Sequence, residues 1–81
     1  MQIGFFGRMG EIIGREVEIE IPASTGTVAG LRRLLAEHFP AAADALGDAR
    51  LRACIADTMV DESHSVAGVE RVEFFPPLSG G

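Results

Sequence analysis

Lysine, tryptophan and tyrosine are absent from this 81-residue chain, cysteine occurs once, and no long apolar run interrupts its charges. Each absence excludes something. A single thiol, Cys54, rules out an internal disulfide and fits a reducing compartment, so a cytoplasmic location is expected. The hydrophobic residues, 47% of the chain, never approach the roughly 18 consecutive positions that a membrane-spanning helix needs. Met1 leads straight into a strand-like stretch, and no signal or transit segment is expected. Basic residues are the minority, seven against twelve acidic ones, and the formal charge of −5 excludes the electropositive footprint of a nucleic-acid binder. Any charged partner should rather be basic. Because all basic residues are arginine, the only amine is the N-terminus. An activated C-terminus would find no lysine in its own chain to attack it, although the codon bias of a GC-rich genome accounts for that absence equally well.

What is present reads as one domain, since a chain of this size closes one core but hardly two. Gln2 to Phe6 is extended, with Ile3 and Phe5 on one side and Gly4 and Phe6 on the other. Arg8 to Ile13 places Met9, Ile12 and Ile13 at helical spacing, stopped by Gly14. Glu16 to Ile21 alternates glutamate and aliphatic without a break until Pro22, the clearest strand in the chain. Thr27 is placed to cap a helix that starts at Val28, with Val28, Leu31, Leu34 and Leu35 on its apolar stripe and Arg32, Arg33 and Glu37 outward. Phe39-Pro40 closes it. A weak helical segment, Ala41 to Leu46, ends at Gly47; Leu51 to Ile55 is a third strand and Asp57 to Val60 a hairpin arm. A turn at Ala67-Gly68 precedes the last strand, Val69 to Phe75, which sets Val72 and Phe74 against Glu73 and Phe75. Two hairpins separated by a helix cannot join locally. The helix must cross the sheet and bring the last strand beside and parallel to the first, which makes the fold α+β: a β-grasp, ubiquitin-like mixed sheet with one main helix on one face and an extended C-terminal tail.

Residues 1–75 are thus expected to form the domain and residues 76–81 the tail. Pro76 and Pro77 remove two backbone donors and restrict φ, so the chain should leave the sheet as a stiff arm. Gly80 and Gly81 carry no side chain, can enter a channel too narrow for any Cβ, and present the terminal carboxyl without shielding. An arm of that kind suits delivery into another protein's active site.

The run Phe74-Phe75-Pro76-Pro77-Leu78-Ser79-Gly80-Gly81 closely resembles the C-terminal signature of the small subunit of molybdopterin synthase, the MoaD family. Phe5-Phe6 followed by Glu11-Ile12-Ile13-Gly14, and Thr27-Val28 with Leu31, resemble the same family. Gly10 stands where the family often has an arginine, and Ala56 where it often has an asparagine. The resemblance implies a sulfur carrier of molybdenum cofactor biosynthesis that has no catalytic side chains of its own. Its Gly81 carboxylate would be adenylated by an ATP-using, ubiquitin-activating-type adenylyltransferase and converted, with a sulfurtransferase as source, to a 1-thioglycine thiocarboxylate. The large synthase subunit, in a heterotetramer, would then receive Pro77, Leu78, Ser79, Gly80 and Gly81 and use the sulfur to convert cyclic pyranopterin monophosphate. The chain itself is expected to bind no cofactor or metal.

Inside the domain no catalytic constellation stands out. His38 and His64 lack neighbours at metal-ligand spacing, Cys54 has no activating partner, and Gly4, Gly7, Gly10 and Gly14 form no phosphate loop. Glu16, Glu18 and Glu20 are most simply a solvated edge, or else an acidic strip toward a basic partner. If Ile3, Phe5, Val72 and Phe74 point under the helix, Phe6 and Phe75 emerge side by side on the bare face unless a bulge turns one inward. With Met59 they form an expected partner surface. A carrier for thiamine or cysteine synthesis, a protein modifier that forms isopeptides, and a plain interaction module are the alternatives.

Overall fold

A computed structural model describes residues 1–77 of the chain. Strand β1 (Gln2–Phe5) is followed by a one-and-a-half-turn helix α1 (Arg8–Ile13) and by β2 (Glu16–Glu18). After a 3₁₀ turn at Ala23–Thr25, the main helix α2 (Val28–His38) leads through a second 3₁₀ turn, Pro40–Ala42, into α3 (Ala43–Leu46). Strands β3 (Arg52–Ile55), β4 (Thr58–Val60) and β5 (Arg71–Phe75) complete a five-stranded sheet of order β2-β1-β5-β3-β4. The two hairpins β1/β2 and β3/β4 flank the central β5, which runs parallel to β1 and antiparallel to β3. This is the β-grasp arrangement expected from the element order.

The core lies between one sheet face and α2. Ile3, Phe5, Val72 and Phe74 from the central strands meet Val28, Leu31 and Leu35, all essentially inaccessible to solvent. Thr27 caps α2 by accepting a 3.2 Å hydrogen bond from Gly30 N. Gly30 itself is required by packing: a Cβ there would lie 2.0 Å from the carbonyl oxygen of Thr25. Ala56 and Asp57 close the β3/β4 hairpin with φ of 51° and 65°, the left-handed pair of a type I′ turn. Asparagine tolerates that geometry better than alanine does, so the departure at Ala56 costs some strain.

Several expectations are corrected. The β2 ladder ends at Glu18 rather than Ile21, because its partner runs out: Gln2↔Glu18 is the last pair, and Ile19 N can reach only Met1 O. Ile19 and Ile21 still pack against the core from beyond the strand. The last strand starts at Arg71, since Val69 N is taken by a turn to Val66 O. Ile12 is 48% exposed; α1 is too short to bury a full stripe and inserts Met9 instead. The largest departure is Arg32. It points inward and its side chain is only 11% exposed, whereas Leu34 is half-buried. Among the described residues no helix is long and apolar enough to cross a membrane.

Candidate functional site

The Phe-Phe dipeptides at 5–6 and 74–75 meet because β1 and β5 are parallel and in register. Phe5 pairs with Phe74, and the next step brings Phe6 beside Phe75. Side chains alternate across a strand, so the two pairs point to opposite faces. Phe5 and Phe74 stack inside the core with ring centroids 5.9 Å apart, while Phe6 and Phe75 stack on the outer face at 4.5 Å with planes 6° apart. The inner pair is sealed. The outer pair is not: Phe6 remains 41% exposed.

Around that outer pair the fold gathers an apolar groove. Antiparallel pairing sets Arg52 directly opposite Phe75 and Met59 opposite Cys54, so Met59 and Arg52 share the face of Phe75. Met59 is 58% exposed. Pro76 and Pro77 continue the groove beyond the strand, with Gly7 beneath them and Arg50 at the rim. The structure therefore places together Phe6, Met59, Phe75 and Pro77, four of the residues singled out from the sequence. The others, Leu78, Ser79, Gly80 and Gly81, lie outside the described residues.

Farther along the same face, charges replace apolar groups. Arg71 lies over Gly4 and holds Glu16 with two hydrogen bonds of 2.6 and 2.9 Å, and Glu73 with two of 3.1 and 3.4 Å. This ties β2, β1 and β5 together across Gly4. The Arg71 hydrogen bonds, helped by Gln2, hold the Glu16 carboxyl well below the usual carboxylate range, at about 2. Glu16 is thus engaged within the domain and is not a free member of an acidic strip. Cys54 is buried on this face, His38 and His64 are exposed, and among the described residues no His, Cys, Asp and Glu cluster could hold a metal ion.

One residue that sequence reasoning assigned to solvent supports the groove from behind. Arg32 donates to the carbonyls of Leu46, Asp48 and Leu51, pairs with Glu62 at 2.8 Å, and lies 6.0 Å from the Phe74 ring centroid. It thereby pins the segment that delivers Arg50 and Arg52. The arginine that does this looks identical in sequence to its neighbour Arg33, which is exposed. Only an apolar-stripe position one turn from Val28 hinted at it. Asp48 in turn fixes Arg50 through its side chain and backbone, and those bonds lower the Asp48 pKa to about 2.

Comparison with known proteins places this geometry. The ThiS family matches residues 3–81. The molybdopterin synthase sulfur carrier subunit of Escherichia coli (strain K12) is 33% identical over 81 residues, covering 100% of this chain and 99% of that protein. The crystal structure of SAMP1 from Haloferax volcanii superposes with a TM-score of 0.79 at 22% identity, covering 99% of this chain and 97% of that one, which shows a shared fold. With a family match over nearly every residue and a full-length relative, the chain belongs to the ThiS family, the ThiS/MoaD group of ubiquitin-like sulfur carriers.

Proposed function

We propose that this chain is the sulfur-carrying small subunit of a molybdopterin synthase and that the Gly81 carboxyl carries the sulfur. The observation that supports it most is that the family match extends through Gly81, together with full-length similarity to a molybdopterin synthase sulfur carrier subunit. Residues 1–75 act as the handle, and residues 76–81 as the arm that enters partner proteins. A carboxylate is an anion at neutral pH and a poor electrophile, so activation comes from outside. Its oxygen attacks the α-phosphorus of ATP on the adenylyltransferase, pyrophosphate leaves, and the acyl-adenylate forms. A persulfide on the sulfurtransferase displaces AMP from the acyl carbon to give an acyl disulfide. A second thiol then attacks the enzyme-side sulfur, which releases the thiocarboxylate and leaves a disulfide on the donor. The large synthase subunit then takes the arm and passes the sulfur to cyclic pyranopterin monophosphate. The stack of exposed Phe6 on half-buried Phe75, with exposed Met59, is the docking face for these partners, since an open aromatic stack next to the arm is costly in a lone domain and suits burial in a complex.

Intact-mass measurement after incubation with ATP, the activating enzyme and a sulfur donor tests this reading. Exchange of one oxygen for sulfur at Gly81, followed by its loss to cyclic pyranopterin monophosphate when the large subunit is added, is the expected result. A ladder of larger adducts points instead to a protein modifier, and a thiocarboxylate that the pterin never consumes points to thiamine or cysteine synthesis. Deleting Gly81 abolishes sulfur transfer and leaves the fold intact; undiminished transfer after the deletion overturns the mechanism.

A further inference from the structure

The groove beside the outer phenylalanines is not purely apolar. Arg52 rises from β3 directly opposite Phe75, is exposed, and makes only a long 3.5 Å contact from its guanidinium to Ala49 O. Other arginines of this region are neutralised: Arg50 by Asp48, Arg32 by Glu62, and Arg71 by Glu16 and Glu73. Among the described residues no carboxylate lies within ion-pair distance of Arg52. Arg8, Arg15 and Arg33 also have no ion pair among the described residues, but none of them lines the groove; of the two arginines that do, Arg50 is held by Asp48 and Arg52 is left without a carboxylate.

We propose that Arg52 receives a carboxylate from the partner protein that covers Phe6, Phe75 and Met59, so that the docking face recognises an apolar projection flanked by an Asp or Glu. This rests on the docking reading above and names the chemistry of its partner. Three arguments select that occupant. A guanidinium presents a planar fork that matches a carboxylate in two parallel hydrogen bonds, and the pairing strengthens once apolar neighbours exclude water. A polyanion such as nucleic acid is repelled by the net charge of −5 and has no use for an apolar floor. A second copy of this chain is a poor occupant because a two-fold contact would place Arg52 near its own equivalent. The groove lining offers no carboxylate of its own for such a copy to present, and Asp48, beside the rim arginine Arg50, is already engaged by it.

The test is calorimetric titration of the full chain, wild type and variants, into the large synthase subunit and, separately, into the activating enzyme, at low and high salt. Arg52→Ala should weaken binding to at least one of them about tenfold and flatten its salt dependence, and Arg52→Glu should weaken it further. Arg33→Ala, on the exposed side of α2, should bind as wild type does. Thermal melts of all variants should coincide, because Arg52 makes no strong contact within the domain. Equal affinities of Arg52→Ala and wild type for both partners overturn the proposal. So does sedimentation that shows a wild-type dimer dissolved by Arg52→Glu, which would make a second copy the occupant. If Arg52 governs binding but no thiocarboxylate ever forms, only the functional reading falls; if wild type binds neither protein, both fall.

Discussion

Pro76 packs directly on Gly7: a methyl group at Gly7 would lie 2.6 Å from Pro76 Cγ, and Gly7 holds φ 74° and ψ −152°, a conformation essentially reserved for glycine. The contact joins the end of β1 to the point where the chain leaves β5. It sets the direction in which Pro76 and Pro77 leave the sheet.

Gly7→Ala therefore carries two penalties, backbone strain and a clash with a rigid ring. The expected loss is about 1–3 kcal/mol, read as a lower urea midpoint at unchanged slope. Adding Pro76→Ala should recover the clash and leave the strain, so the double variant should be more stable than Gly7→Ala alone. Equal stability of the two would show that Pro76 does not press on this position.

Neighbouring phenylalanines should respond in opposite ways. Phe74→Ala, at a site with no solvent exposure, should cost about 3–5 kcal/mol of stability. Phe75→Ala removes the outer stack, worth about 0.5–1.5 kcal/mol beyond its area, and should leave a folded domain. Its effect should appear in titration against the large subunit as a loss of about 2 kcal/mol or more of binding free energy. A Phe75→Ala protein that binds normally would remove this face from the docking account.

Arg32→Ala should destabilise the domain by about 3 kcal/mol, since it strips a charged donor from three carbonyls and leaves Glu62 unpaired. Arg32→Lys should recover only part of this, because one ammonium cannot span carbonyls that a planar fork reaches together. Hydrogen exchange should quicken first in the segment from Leu46 to Leu51. Chemical denaturation that places Arg32→Lys level with wild type would reduce the guanidinium to a simple charge.

The Glu16–Arg71 pair makes a pH prediction. Glu16 is depressed from its ordinary 4.5 to about 2, so its contribution to stability is fully present above about 4.5 and is lost as pH falls toward 2. Carboxyl chemical shifts followed by NMR should place the Glu16 midpoint far below those of unpaired glutamates. In Arg71→Gln the midpoint should return toward 4.5, and the acid limb of the stability curve should flatten.

The alternation of glutamate and aliphatic that opens at Glu16, the capping threonine before α2 and the order of strands around one helix together pointed to a β-grasp sheet, because a helix crossing between two hairpins brings the last strand beside and parallel to the first. The register of Phe-Phe with Phe-Phe was likewise legible, since parallel neighbours must present alternate residues to alternate faces. Other features were not. Where β2 stops depends on the length of its partner, and the role of Arg32 depends on three carbonyls delivered from a segment many residues away. Whether Arg52 or Arg50 keeps a free charge depends on which acid the loop at Asp48 brings within reach. Periodicity records which side of an element is apolar, but the partner of a long charged side chain is chosen by distances between distant parts of the chain. Those distances exist only once the sheet and helices have closed around the core.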